Sequence, residues 1–424
     1  MKRFFFNCAA AFAMAALLLA CSPTEKAEAP MDGDYYSDEK TSDAVGDGGG
    51  REEGVYDPDG TYTDDVMSEP GEGGDEQGET GQAGRVTAGE WNDLDNWSFW
   101  GGLMNGQDYS SYNSYWGFWT NNRVAVAVEN GSGTPLAGVR VSLVKGNESV
   151  WKAVTDNLGR AECWIGLFQQ TESVDASAYR LQVGDVEQEI KMTGWDCPNG
   201  TNVNKVVLDM ASPAAQKADI AFIVDATGSM MDEISFLQQD LMDILNKVGQ
   251  KQSTVAFRSA AVFYRDEGDD YITRSHNFTD KIAETVAFIA EQEADGGGDY
   301  PEAVHTALEE GLQELSWSED AKTRIAFLLL DAPAHHRSEV LASLQQSIRS
   351  YAAAGIKIIP ISASGIDKGT EFMLRYFAAA TNGTYVFITN HSGIGGEHIE
   401  ATVGDYEVEL LNELIVRLIN KYTE

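Results

Sequence analysis

From residue 217 to the C-terminus, short apolar runs alternate with amphipathic stretches, and this alternation constrains the fold more than any other feature. Ile220 to Val224 is a strand-length apolar run that ends at Asp225. Ile234, Leu237, Leu241, Ile244 and Leu245 then fall on one face of a helix spanning Met230 to Val248. Val255 to Tyr264 suits a strand, paired with Tyr271 to Asn277. Ile282, Val286 and Ile289 mark a helix, and so do Val304, Leu308, Leu312 and Leu315. Arg324 to Leu330 is a buried strand ending at Asp331. Val340 to Ala354 reads as helix, Ile356 to Ile361 as strand, Glu371 to Ala380 as helix, Tyr385 to Thr389 as strand and Val408 to Tyr422 as a last helix. Strands that alternate with helices predict an α/β, doubly wound, mostly parallel sheet covered on both faces, and about 205 residues suit one such domain.

The rest of the 424-residue chain is organised differently. Residues 1–20 read as an export signal: Lys2 and Arg3 precede an apolar run from Phe4 to Ala20, broken by Asn7. Leu18-Leu19-Ala20-Cys21 resembles the bacterial lipobox. That resemblance implies cleavage before Cys21 and acylation of Cys21, hence an envelope protein held to a membrane, the outer one by expectation. An uncleaved N-terminal anchor is the alternative. Several acyl chains on one residue would hold firmly where one binds only reversibly. Residues 21–88 read as an acidic disordered linker: Ser22 to Ala88 carries 19 Asp and Glu against 4 Lys and Arg, with few large apolar residues. The whole chain has a net charge of −37, which argues against a nucleic-acid partner.

Residues 89–122 are crowded with aromatics, including Trp91, Trp97, Trp100, Trp116 and Trp119. Such density favours packing onto a neighbouring domain, with a carbohydrate- or partner-binding surface as the other reading. Residues 123–211 predict an all-β sandwich, from strands such as Val124–Val128 and Val139–Val144 separated by Gly and Pro turns. Gly133-Thr134-Pro135-Leu136-Ala137-Gly138-Val139 and Thr155-Asp156-Asn157-Leu158-Gly159 resemble the regulatory-like domain of carboxypeptidases, which implies a transthyretin-like fold without catalytic residues. Cys163 and Cys197 are candidates for one disulfide in an oxidising compartment, or else two buried thiols.

Chemistry is expected where the parallel strands end, because ligands of such sheets bind beyond the strands' carboxyl ends. Asp225-Ala226-Thr227-Gly228-Ser229 puts a carboxylate and two hydroxyls on alternate residues of one turn. Hard cations such as Mg²⁺ take oxygen ligands of this kind. The Asp-x-Thr-x-Ser pattern resembles the von Willebrand factor type A domain and its metal-ion-dependent adhesion site. Carried over to residues 217–424, the resemblance implies Mg²⁺ (or Mn²⁺ or Ca²⁺) held by Thr227 and Ser229, with Asp225 acting through water and Asp331 as the later carboxylate. Gly296-Gly297-Gly298-Asp299-Tyr300-Pro301-Glu302 resembles a subgroup in which Thr or Cys stands where Tyr300 is. Asp299 is then either a ligand or the cap of a helix starting at Pro301. Tyr300, Arg265 and Asp266 are placed on the rim, where Arg265 would pair with a site carboxylate. With Asp225, Asp299 and Asp331 all ionised, the loaded site would carry a net −1 and favour neutral oxygens over acidic side chains.

These features predict a lipid-anchored envelope protein whose type A domain mediates protein–protein interaction or adhesion and is not an enzyme. One alternative is a metal-dependent hydrolase using His305, His335 and Asp331, although their spacing matches no usual zinc set. Another is a structural envelope protein with a vestigial site. The chain contains neither a Gly-x-x-x-x-Gly-Lys-Ser/Thr loop nor a Gly-x-Ser-x-Gly elbow.

Overall fold

The computed structural model describes residues 83–171, 173–197, 202–211, 217–251, 255–393, 396 and 398–423. The expected signal segment, the lipidation site Cys21 and nearly all of the acidic linker lie outside them. The described residues belong to one unit. In chain order they open with β1 (Thr87–Trp91), α1 (Trp97–Asn105) and α2 (Gln107–Trp116). Seven strands follow: β2 (Arg123–Asn130), β3 (Arg140–Lys145), β4 (Glu148–Val154), β5 (Arg160–Trp164), β6 (Tyr179–Val183), β7 (Val186–Glu189) and β8 (Asn204–Leu208). The remainder is β9 (Lys217–Asp225), α3 (Met231–Lys251), β10 (Ala256–Tyr264), β11 (Thr273–Thr279), α4 (Ile282–Ala290), α5 (Val304–Gln313), β12 (Thr323–Leu330), α6 (Ser338–Ala354), β13 (Ile356–Ser362), α7 (Lys368–Ala380), β14 (Tyr385–Ile388), β15 (Glu409–Leu410) and α8 (Leu411–Thr423).

The main sheet has eight strands in the order β11-β10-β9-β12-β13-β14-β1-β15. Its centre, from β10 to β14, is parallel. β11, β1 and β15 run antiparallel at the two sides. Central strands are buried on both faces, which is why β12 is an unbroken apolar run after its first two residues. Alternate residues of β9 enter different cores. Ile220, Phe222 and Val224 pack with Leu237, Leu241 and Ile244 of α3 and Leu414, Ile415 and Leu418 of α8. Ala221 and Ile223 face the core that holds Leu308 of α5, Leu344 and Ile348 of α6, and Phe372 and Tyr376 of α7. Pro360 is accommodated inside β13 because the ladder to β14 begins only at Ile361, after the residue that has no N–H to give.

β1 corrects the expected domain boundaries. The division placed between residues 88 and 89 falls inside this strand, which pairs with β14 and β15 about 300 and 320 residues later. The sheet expected to lie within 217–424 therefore draws one strand from ahead of the β2–β8 region. That region forms one three-stranded sheet, β5-β2-β8, and one four-stranded sheet, β4-β3-β6-β7. Val124, Val126, Leu143, Trp151 and Leu181 from both join the core under α5, α6 and α7.

The aromatic segment joins these parts. Trp97, Trp100, Tyr109, Trp116 and Phe118 are all buried. Trp100 stacks on Phe372, Phe118 stacks on Tyr376 at 4.2 Å, and Trp116 donates to the carbonyl of Gly369, all on α7. The Trp100 and Trp116 indoles thus pack their apolar faces while their N–H groups find acceptors in the Thr120 hydroxyl and the Gly369 carbonyl. Cys163 and Cys197 are free thiols. No disulfide joins them: Cys163 is fully buried on β5 opposite Val124, whereas Cys197 lies in a half-buried loop and accepts from Asn202 at 3.0 Å.

Candidate metal centre at the ends of the parallel strands

β9 delivers Asp225 to the edge of the sheet fully buried. Its Oδ1 accepts from the backbone N–H of Thr227 at 2.9 Å and from the Thr227 hydroxyl at 2.7 Å. The Thr227 and Ser229 hydroxyls are 3.2 Å apart. One side-chain-to-backbone turn therefore gathers the carboxylate and both hydroxyls before α3 begins. The triglycine loop closes over this turn. Gly228 N–H donates to the carbonyl of Gly296, and Asp295 N–H donates to that of Ala226. Gly296 and Gly297 have φ of +79° and +73°, which favours glycine. A Cβ on Gly296 would also lie 2.5 Å from the Asp269 carboxylate. Asp269 fixes the loop by accepting from Gly297 N–H at 2.9 Å.

Asp331 follows β12 and is also buried. It borders a cleft of about 280 Å³ with Ser229, the three glycines, Asp299, Tyr300 and Glu302. Four carboxylate oxygens in this neighbourhood, Asp225 Oδ2, Asp331 Oδ1, Glu302 Oε2 and Glu233 Oε2, are buried with no hydrogen-bond partner among the described residues. Charge in such a place is costly, and the titration of Asp225, Asp331 and Glu302 reflects it. Burial, then the proximity of Asp331, pushes Asp225 up to about 7. Burial pushes Asp331 up to about 6, with Glu233 adding to the shift and the Ser229 hydroxyl opposing it. Burial, followed by the fields of Asp225, Asp266 and Asp331, pushes Glu302 up to about 9.

Such uncompensated oxygens fit a hard divalent cation, which would supply both the missing charge and the missing partners. Among the described residues no three His, Cys, Asp or Glu side chains are grouped to hold a metal ion. The donor set that the fold assembles is two carboxylates, Asp225 and Asp331, with the hydroxyls of Thr227 and Ser229.

Of the other expected site residues, Asp299 and Tyr300 border the same cleft, whereas Arg265 and Asp266 lie away from it. Asp299 is exposed at the cleft's lip. It does not cap a helix either: α5 begins three residues after Pro301, and no side chain bonds to its N-cap position. The Tyr300 hydroxyl donates to Gly365 O at 3.2 Å and accepts from Asp367 N–H at 3.0 Å, so its ring spans the cleft's edge. Burial and the nearby Asp367 push its phenol up to about 12. Arg265 and Asp266 are buried and are not rim residues. Arg265 donates to the carbonyl of Glu293, lies 3.6 Å from the Asp295 carboxylate and covers the Tyr271 ring, so it pairs with no expected metal ligand. Asp266 is 2.7 Å from Nε2 of His335.

That contact commits His335 elsewhere, and His305 faces Glu267 at 3.9 Å, so the histidine-based zinc set is not assembled. His336 stacks on Tyr115 at 3.8 Å and bonds to its carbonyl. Two carboxylates beside the centre had no separate signal in the sequence. Glu302 stood in the Pro-Glu pair after the glycines. Glu233, on α3, is buried 3.2 Å from Nε2 of His398.

Parts of the chain are similar to known proteins. The von Willebrand factor A domain family matches residues 219–389. An ariadne-like RING finger protein of Acanthamoeba polyphaga mimivirus is 33% identical over 132 residues, which is 31% of this chain and 13% of that protein. An alpha-protein kinase of Dictyostelium discoideum is 28% identical over 123 residues, 29% of this chain and 19% of the kinase. The chain thus spans under a fifth of the length of either relative. Among solved structures, the conserved hypothetical protein BatB of Bacteroides thetaiotaomicron is 12% identical with a TM-score of 0.33, covering 49% of this chain and 98% of its own. The mussel byssus proximal thread matrix protein 1 is 19% identical with a TM-score of 0.30, covering 40% of each chain. Asp225, Thr227, Ser229 and Asp331 all fall inside the segment, residues 219–389, that matches the von Willebrand factor A domain family.

Proposed function

We propose that this chain is an envelope-anchored interaction protein whose type A domain binds Mg²⁺ and presents it to a protein partner. The observation that carries the reading is the pair of buried, unpartnered oxygens, Asp225 Oδ2 and Asp331 Oδ1, beside the Thr227 and Ser229 hydroxyls. A cation held there would offer a coordination position to an oxygen of the partner. Asp299, exposed at the lip, disfavours an acidic side chain and leaves amide carbonyls and hydroxyls as the preferred donors. The domain needs no catalytic residue for this role. No described helix is long and apolar enough to cross a membrane, and in this reading acylated Cys21 makes the attachment. The acidic segment then acts as a spacer, and the paired β2–β8 sheets act as a transthyretin-like support for the type A domain.

The test is thermal unfolding of the full chain in EDTA, Mg²⁺, Mn²⁺ and Ca²⁺, beside Asp225→Ala. A ligand that binds only the folded state must raise its stability. Mg²⁺ is expected to raise the midpoint of the wild type and not that of the variant; equal midpoints in EDTA and Mg²⁺ would end the metal-centred reading. Labelled palmitate should enter the wild type and not Cys21→Ala.

A further inference from the structure

Glu302 is held more firmly than its neighbours in the glycine loop. Its N–H donates to Pro333 O at 2.8 Å, it bridges to Ala334, and its carbonyl accepts from Val304 N–H at 2.9 Å. The backbone is thereby clamped between the triglycine loop and the segment that follows Asp331. A Cβ on Gly297 would lie 3.1 Å from Glu302 Oε1 and 3.4 Å from Thr227 Cβ, so the Glu302 carboxylate and the Thr227 side chain flank the same glycine. Glu302 is 3% exposed, borders the cleft, and its Oε2 has no hydrogen-bond partner among the described residues. Asp299, three residues earlier, borders the same cleft but is exposed to solvent.

Mg²⁺ gives up water reluctantly and usually keeps several waters when bound by one or two carboxylates. Each retained water has polarised protons that need acceptors. Residues that orient a metal's ligands from behind matter nearly as much to affinity as the ligands themselves. Among the described residues, Asp225, Asp331 and Glu302 do not converge as a group of three ligands.

We propose that Glu302 is a positioning residue for a hydrated Mg²⁺: its free oxygen accepts a hydrogen bond from a metal-bound water beside Thr227, and Glu302 instead of Asp299 is the third carboxylate of the centre. This rests on the Mg²⁺ reading above. A water-mediated role gives Glu302 influence over which cation is held, because Ca²⁺ takes more direct oxygen ligands in a looser geometry.

The experiment is calorimetric titration of Mg²⁺ and Ca²⁺ into the full chain as wild type, Glu302→Gln, Asp299→Asn and Asp225→Ala. Glu302→Gln is expected to weaken Mg²⁺ about tenfold or more, with a smaller loss for Ca²⁺, so that the preference between the ions shifts. Asp299→Asn is expected to change either affinity by less than about twofold, as for an exposed charge screened by water. Wild-type Mg²⁺ affinity in Glu302→Gln, or a larger loss in Asp299→Asn, overturns the assignment while leaving the centre itself standing. Absence of Mg²⁺ binding by the wild type overturns both. Unfolding midpoints in EDTA check that Glu302→Gln folds, and the Mg²⁺-to-Ca²⁺ ratio is a readout that a merely structural role would not move.

Discussion

Asp93 and Arg375 are 282 residues apart in the chain and meet in the core through two hydrogen bonds, 2.6 and 2.9 Å long. Both side chains are almost wholly buried. Trp91 also donates to Asp93, and the guanidinium lies over the Trp100 ring and donates to the carbonyl of Thr402. The pair fastens the segment between β1 and α1 onto α7. An arginine with its planar fork suits such a buried two-point contact better than a lysine would.

Breaking this pair on one side should be severe. Asp93→Ala removes the two-point partner of a buried guanidinium and leaves Glu371, at 3.5 Å, as its carboxylate, and we expect a loss of about 3 kcal/mol in urea unfolding. Replacing both partners with apolar residues, Asp93→Leu with Arg375→Met, should cost less than Asp93→Ala alone, because the buried guanidinium is then gone and Glu371 keeps Lys368 and Thr402 as partners. A double variant worse than the single one would show that the pair stabilises through more than mutual neutralisation.

The strand that precedes Asp93 makes a second expectation. A fragment of residues 217–424 contains the whole family-matched segment, residues 219–389, but lacks β1, so one side of β14 is left without a ladder. It also loses Trp100, Phe118 and Trp116 from the surface of α7. Exposed strand edges and apolar patches promote association. We expect this fragment to aggregate or to melt without a sharp transition by circular dichroism, whereas residues 83–424 should unfold cooperatively. A soluble, cooperative 217–424 fragment would show that β1 is dispensable.

Why β1 escaped the sequence is plain from its residues. Thr87-Ala88-Gly89-Glu90-Trp91 is short, carries glycine at its centre, and has its partners far along the chain. β9, β12 and β13 were legible because burial on both faces makes them continuous apolar runs. Local chemistry was equally legible: Asp225, Thr227 and Ser229 share one turn, and Asp331 terminates an apolar strand. Arg265 and Asp266 were misplaced because a run of mixed charges looks like a solvated loop, whereas the fold buries Asp266 against His335. Asp299 looked like a helix cap because it precedes a proline. The helix starts later because Glu302 is extended in a bridge to Ala334, a contact that no local pattern encodes.

Asp240 on α3 offers a test of burial by pH. It is buried, Oδ1 accepts from Gly84 N–H at 2.7 Å, and Oδ2 has no hydrogen-bond partner among the described residues. Burial pushes its carboxyl up to about 6. The folded state therefore keeps a proton that an unfolded Asp releases near pH 4. Stability from this group is present below that pH and is lost as pH rises toward 6. Asp240→Asn keeps an acceptor for Gly84 and cannot ionise. We expect the variant to match the wild type near pH 4 and to exceed it at pH 8 by on the order of 3 kcal/mol. Equal stability of the two proteins at pH 8 would mean that the ionised carboxylate is compensated.

At the candidate centre the same displacement of titration acts against the cation. Asp225, held near 7, and Asp331, held near 6, bind protons where an ordinary carboxylate is already ionised. Without metal, these groups cost the fold stability as pH rises from about 4 toward 7, by the sign argument that applies to Asp240. With Mg²⁺ the direction reverses, since only the deprotonated oxygens can hold the ion and each proton must leave first. We expect Mg²⁺ affinity to increase about tenfold from pH 6 to pH 8. Calorimetry at pH 6 in buffers of different ionisation enthalpy should show about one proton released per ion, falling toward zero at pH 8. Asp225→Asn should abolish both the release and most of the binding. Affinity that stays flat across this range would mean that the ion sits away from these two carboxylates.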